Sequence, residues 1–131
     1  MLSALFAGLT AVLAKFGLQG ISSNIATAVR TLVILIIAWG IVFAGGETKD
    51  LQALTKKHLS FLTLSGMATG LSWIFYFKAL STGPVSKVAP IDKLSVAIAI
   101  ALSAIFLKEH LDYKTIAGAV LIMAGTFVLI R

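Results

Sequence analysis

Residues 87–107 read KVAPIDKLSVAIAIALSAIFL, and this stretch decides the class of fold. From Leu94 to Leu107 the polar side chains are those of Ser95 and Ser103, so the run is apolar enough to cross a bilayer. Asp92 and Lys93 stand at its head and enter the membrane with it. An ionisable side chain in hydrocarbon costs roughly 3 kcal/mol on insertion scales, and such residues face a bundle interior or a watery cavity. A polar site inside a membrane protein follows from these residues, and transport is its natural use.

The whole chain has this character. Of its 131 residues 59% are hydrophobic and only 12% charged, and the mean hydropathy is +1.02. A soluble domain carries about a quarter charged residues, so the composition excludes that class. Cysteine is absent, which removes disulfides, thiol nucleophiles and thiolate metal sites. The formal charge of +6 would suggest nucleic acid in a soluble protein. Here the basic residues flank or enter apolar spans, where they set topology or bind anions, and no nucleic-acid partner is expected. The opening MLSALFAGLTAVLA lacks the basic start and small-residue cleavage site of a signal peptide, so it reads as part of a first span.

Five spans are expected, over about 2–18, 25–44, 59–80, 88–107 and 115–130, in a single domain covering 1–131. The last is short, and Tyr113 suits its interfacial start; Trp39 and Phe43 suit the same aromatic belt. Residues 19–24 and 81–86 are tight turns in which Ser23, Asn24 or Ser86 is placed to cap the next helix. An odd number of spans puts the termini on opposite faces. The face holding the N-terminus then takes Lys49, Lys56, Lys57, Lys108 and Lys114. The other takes Lys15, Arg30, Lys78, Lys87, Lys93 and Arg131. A near-even basic count encodes orientation weakly and allows insertion in both directions.

Spans one and two echo spans three and four at an offset of 63 residues: Lys15 maps to Lys78, Gly20 to Gly83, Ser23 to Ser86 and Arg30 to Lys93. The echo gathers Lys15, Arg30, Lys78, Lys87, Asp92 and Lys93 in one half of the bilayer, five cations against one carboxylate. Two readings stand for the cations, snorkelling to the headgroups or binding an anion, and snorkelling fits Arg30 and Lys93 less well because they lie deeper. Asp92 is too short to snorkel. Its expected partner is on another helix, with Arg30, Lys15 and Lys78 as candidates, and it serves either a structural ion pair or proton coupling. The neighbouring cations favour its ionised form.

Span three carries WIFYF at 73–77. Trp73, Tyr76 and Phe77 share one helix face, either packed in a core or forming a cavity wall for a substrate with an apolar part. Gly66 and Gly70, Ala97 and Ala101, and Gly118 and Gly125 have spacings that permit close helix contact. Pro90 frees a backbone carbonyl near Asp92, which is tolerated where it lines a cavity. No HExxH, Walker or GxSxG pattern occurs, and His58 and His110 fall in loops. No catalytic residue, metal site or cofactor is expected.

The segment FKALSTGPVSKVAPIDK, followed by LKEHLDYKTIAGAVLIMAGTFVLI, resembles the EamA domain of the drug/metabolite transporter superfamily. The resemblance rests on Ala79-Leu80, Gly83-Pro84, Ala89-Pro90, the Leu107-Lys108-Glu109 corner, Gly118 and Gly125, and is strongest over 71–130. It implies half of a ten-helix fold in which two five-helix domains pack as an inverted pair around a central cavity for small metabolites. This chain differs in having one domain, Lys108 where Gly is usual, and Asp92-Lys93 where relatives are apolar.

The sequence therefore predicts an all-α, five-span, multi-pass protein of the cell membrane. It would act as a secondary transporter of small metabolites, as an antiparallel homodimer or with an inverted relative. Arg30 and Lys93, with Lys15 or Lys78, would attract an anionic group, pairing with Asp92 would regulate that attraction, and Trp73 and Tyr76 would contact the rest of an amphipathic substrate. The alternative is a non-transporting small membrane subunit that completes or stabilises an inverted partner.

Overall fold

The computed structural model describes residues 1–131, and every regular element in it is helical. Helices α1 (Leu2–Gly17), α2 (Ser23–Ala44) and α3 (Lys56–Thr82) are followed by α4 (Val85–Asp92), α5 (Leu94–Leu102) and α6 (Tyr113–Ile130). A 3-10 segment, Glu47–Ala53, lies between α2 and α3, and a π-helical turn, Ser103–Leu107, closes α5. Helix is the form in which a single segment satisfies its own backbone donors and acceptors in lipid.

Four segments are long and apolar enough to cross a membrane: α2, α3, the run Val85–Leu107 that contains α4 and α5, and α6. Helix α1 is apolar but has 16 residues, about 24 Å at 1.5 Å per residue, less than the ~30 Å hydrocarbon core. Helix α3 has 27, about 40 Å, so its polar start at Lys56, Lys57 and His58 extends beyond the hydrocarbon.

Local chemistry sets the helix ends. Gly20, at φ +76°, makes the left-handed turn after α1. The N-cap of α2 is Ser22, whose Oγ accepts the Ile25 N–H at 3.3 Å. Neither Ser23 nor Asn24 caps it, because both are already helical. Nor does Ser86 cap α4; that helix starts behind Pro84, which has no side-chain cap. The Asp112 carboxylate caps α6 by accepting from both the amide and the hydroxyl of Thr115, and these bonds hold its carboxyl below the usual carboxylate range.

Two compact units make up the chain. One is Leu13–Ser81; the other joins Met1–Val12 to Thr82–Arg131. In the second unit α6 packs on both α4 and α5. Two side chains fasten it. Thr126 Oγ1 donates to the Pro90 carbonyl at 3.2 Å, and Lys87 Nζ donates to the Ile130 carbonyl at 3.2 Å. Buried side chains are few and mostly small, apart from Phe77, Leu80, Leu18 and Val88. Large apolar residues such as Leu32, Ile36, Phe127 and Val128 are exposed, as suits a surface solvated by lipid tails.

Candidate functional site

The site in the Leu13–Ser81 unit is built on Arg30. It lies eight residues past the N-cap Ser22, about 12 Å along α2. Its guanidinium carbon stands 4.4 Å from the ring centre of Phe77 and 5.4 Å from that of Trp73. Trp73 and Phe77 are four apart on α3, so their rings lie on one face a turn apart. Both distances are within the ~6 Å at which a cation is attracted to a ring face. The two rings lie nine and five residues before the end of α3, about 14 and 8 Å inside it. Arg30 is thus turned onto the aromatic face rather than back to the headgroups.

The aromatic wall is itself braced. Tyr76 meets Phe77 edge-on, with ring centres 5.5 Å apart at 82°, and Phe77 is fully buried. The guanidinium forms no ion pair and no hydrogen bond within the chain. Its N–H donors therefore remain available to a ligand.

Lys15 has a different position. Its Nζ donates to the Leu80 carbonyl at 2.7 Å and reaches that of Ser81 at 3.5 Å. A cation on the terminal carbonyls of α3 is favoured by the helix dipole and satisfies acceptors that have no intrahelical donor. Lys78 is exposed and lies about 100° round α3 from Phe77, away from the face that meets Arg30.

In the other unit, the helix is interrupted at Lys93, between α4 and α5. Pro90 has no N–H to give the Ser86 carbonyl, and the Lys93 amide takes a short bond back to the Pro90 carbonyl at 3.0 Å. Ser95 Oγ caps the Asp92 carbonyl at 2.6 Å. The expected partner of Asp92 on another helix is replaced by its neighbour: Lys93 Nζ lies 3.5 Å from Asp92 Oδ2, and both side chains are over a third exposed. Arg30 and Lys93, equivalent in the sequence echo, so occupy unlike settings, one in an unbroken helix and one at a break.

Thr126 is a contributor that the sequence reading missed. It is buried and its hydroxyl is shared between the Ile122 and Pro90 carbonyls. The signal for it was faint: a hydroxyl in the middle of an otherwise apolar stretch of the last span.

The small-residue positions also behave differently from a simple packing motif. A Cβ placed on Gly66, Gly70, Gly118 or Gly125 would meet nothing within 4 Å. None of these glycines is used for close helix contact within the chain.

Comparison with known proteins adds the family. The model of the EamA-like transporter family matches residues 1–131. The chain is 43% identical over 129 residues to an uncharacterised transporter from Sinorhizobium sp., covering 98% of this chain and 92% of that one. It is 30% identical over 111 residues to an uncharacterised protein of Methanocaldococcus jannaschii, covering 85% and 74%. A third similarity, 36% over 73 residues, is to mouse NIPA-like protein 2, covering 55% of this chain and 19% of that one. No solved structure matches. Apolar helices with an embedded guanidinium and a proline-broken span, matched by the family model along its full length, make this chain a multi-pass membrane protein of the EamA-like transporter family, and a transporter rather than an enzyme.

Proposed function

We propose that the chain is half of an antiparallel dimer that carries a small, negatively charged or amphipathic metabolite across the cell membrane. The observation behind this reading is Arg30, held inside the span against Trp73 and Phe77 with no counter-ion of its own. An anionic substrate group supplies that counter-ion, and Trp73 and Tyr76 lie against its apolar part. In the other unit, the charge of Lys93 is balanced by Asp92, 3.5 Å away beside the broken helix.

Dimerisation is supported by α3. It is the least hydrophobic of the four membrane-length segments, and none of the residues in its most apolar window is buried. Ser65, Gly66 and Thr69 are exposed there, and Gly66 and Gly70 have open space above them. Such residues gain little from acyl chains but suit an arriving helix. The Sinorhizobium transporter, 92% covered by the alignment, has little length beyond one such domain.

Two experiments test the reading. Uptake of a panel of labelled organic anions and cations into liposomes should show saturable entry of an anion, lost in the Arg30→Gln/Lys93→Gln double variant. Retained uptake in that variant would remove the anion role from these residues. For the dimer, the absence of native cysteine allows one label site at Gln52→Cys; Gly46, at φ +68°, is unsuited to a side chain. Labelling of about half the molecules by an impermeant maleimide in intact cells is the outcome expected for dual insertion. All-or-none labelling would point instead to an inverted relative as partner.

A further inference from the structure

We infer that the Arg30 site takes one singly charged oxyanion, on an amphipathic solute, and discriminates against a second negative charge. This inference rests on the assignment of Arg30 to the substrate path and specifies the class of solute.

Within the Leu13–Ser81 unit the carboxylates are Glu47 and Asp50, both beyond the far end of α2. Arg30 lies fourteen residues before that end, about 21 Å along the helix, so neither acid serves as its counter-ion. The guanidinium makes no ion pair within the chain, and its planar fork of N–H donors matches two oxygens of one carboxylate or sulfonate.

The neighbouring cations of the same unit, Lys15 and Lys78, do not add to this charge. Lys15 is committed to the carbonyls that end α3, and the Leu80 carbonyl belongs to a fully buried residue that would lose its donor if Lys15 swung away. Lys78 lies on another side of α3 and is exposed. One guanidinium against one anion is neutral. A dianion at the same place carries an uncompensated charge in a medium of low dielectric, which is strongly disfavoured. The ring of Trp73, only partly buried, adjoins the guanidinium and so lies within reach of the solute's apolar body.

Alkanesulfonates test this without protonation or passive leak of a neutral acid. The protein has two tryptophans, and Trp39, which stacks on Phe43, is outside the site. A Trp39→Phe background in zwitterionic nanodiscs makes Trp73 the sole reporter. Pentanesulfonate should shift its emission saturably, with 1,5-pentanedisulfonate at least about tenfold weaker. Arg30→Gln should weaken pentanesulfonate by a similar factor, and Arg30→Lys should recover part of it. Equal or tighter binding of the disulfonate, or unchanged binding in Arg30→Gln, would overturn the inference. So would a Trp73 response to phosphatidylglycerol with none to pentanesulfonate, which would make the counter-ion a lipid headgroup. Selective binding without flux in liposomes would sustain the charge rule and remove the transport reading, so the two fail separately.

Discussion

The Nζ of Lys15 lies 2.7 Å from the carbonyl oxygen of Leu80, 65 residues later in the chain. A lysine that a sequence reading places among the substrate-attracting cations thus closes the end of a helix. Lys87, on Ile130, does the same for α6.

Lys15→Met, which keeps the length and removes the charge, should leave the buried Leu80 carbonyl without this donor. A buried acceptor stripped of its partner costs about 1–3 kcal/mol. The expected result is a lower melting temperature in detergent, with Lys15→Arg closer to the parent. An unchanged melting temperature in Lys15→Met would show that the contact is not a clamp.

Thr126→Val removes the hydroxyl that links α6 to the Pro90 carbonyl at nearly constant volume. The expected loss is about 1 kcal/mol, the typical net worth of one hydrogen bond. Thr126→Ser keeps the donor and should lie nearer the parent. Urea or thermal unfolding of the two variants side by side separates the bond from the packing.

Lys108 is the non-glycine residue with positive φ, at 55°, where the chain leaves the π-helical turn. A left-handed residue with a Cβ is strained by about 1 kcal/mol, which glycine avoids. Lys108→Gly should therefore raise the melting temperature, whereas Lys108→Ala should not. A fall in Lys108→Gly would mean that the lysine side chain contributes more than its backbone costs.

Asp112 predicts a pH dependence. Its carboxyl is held below its ordinary range by the hydroxyl and amide of Thr115. A depressed folded value means that the charged cap stabilises the protein above the unfolded pKa, about 3.9, and that this is lost as pH falls through the folded value. Asp112→Ala should melt lower than the parent at neutral pH, with the gap narrowing below about pH 4. A gap that stays constant down to strong acid would exclude the carboxylate as its cause.

Much of the fold was legible in the sequence because the bilayer imposes it. Runs such as 94–107 have to be helical, since lipid offers no partner for a free N–H or C=O. The run behind Asp92 and Lys93 was recognisable as long and apolar enough to cross a membrane, and the WIFYF run was visible as an aromatic helix face. Helix ends were less legible. Ser22, Ser23 and Asn24 are all good caps, and only backbone geometry shows that Ser22 is used.

What the sequence by itself determined is which residues enter the membrane and with what charge. What each embedded charge meets was decided by tertiary structure. Arg30 meets Trp73 and Phe77 because α2 and α3 face each other there, a pairing between residues more than forty positions apart that helical periodicity leaves open. Lys15 meets the end of α3 for the same reason. Asp92 meets its own neighbour Lys93, at the junction of α4 and α5, rather than a cation on another helix. Hydropathy is a property of each residue, but a counter-ion is a property of a place, and places exist once the helices have packed.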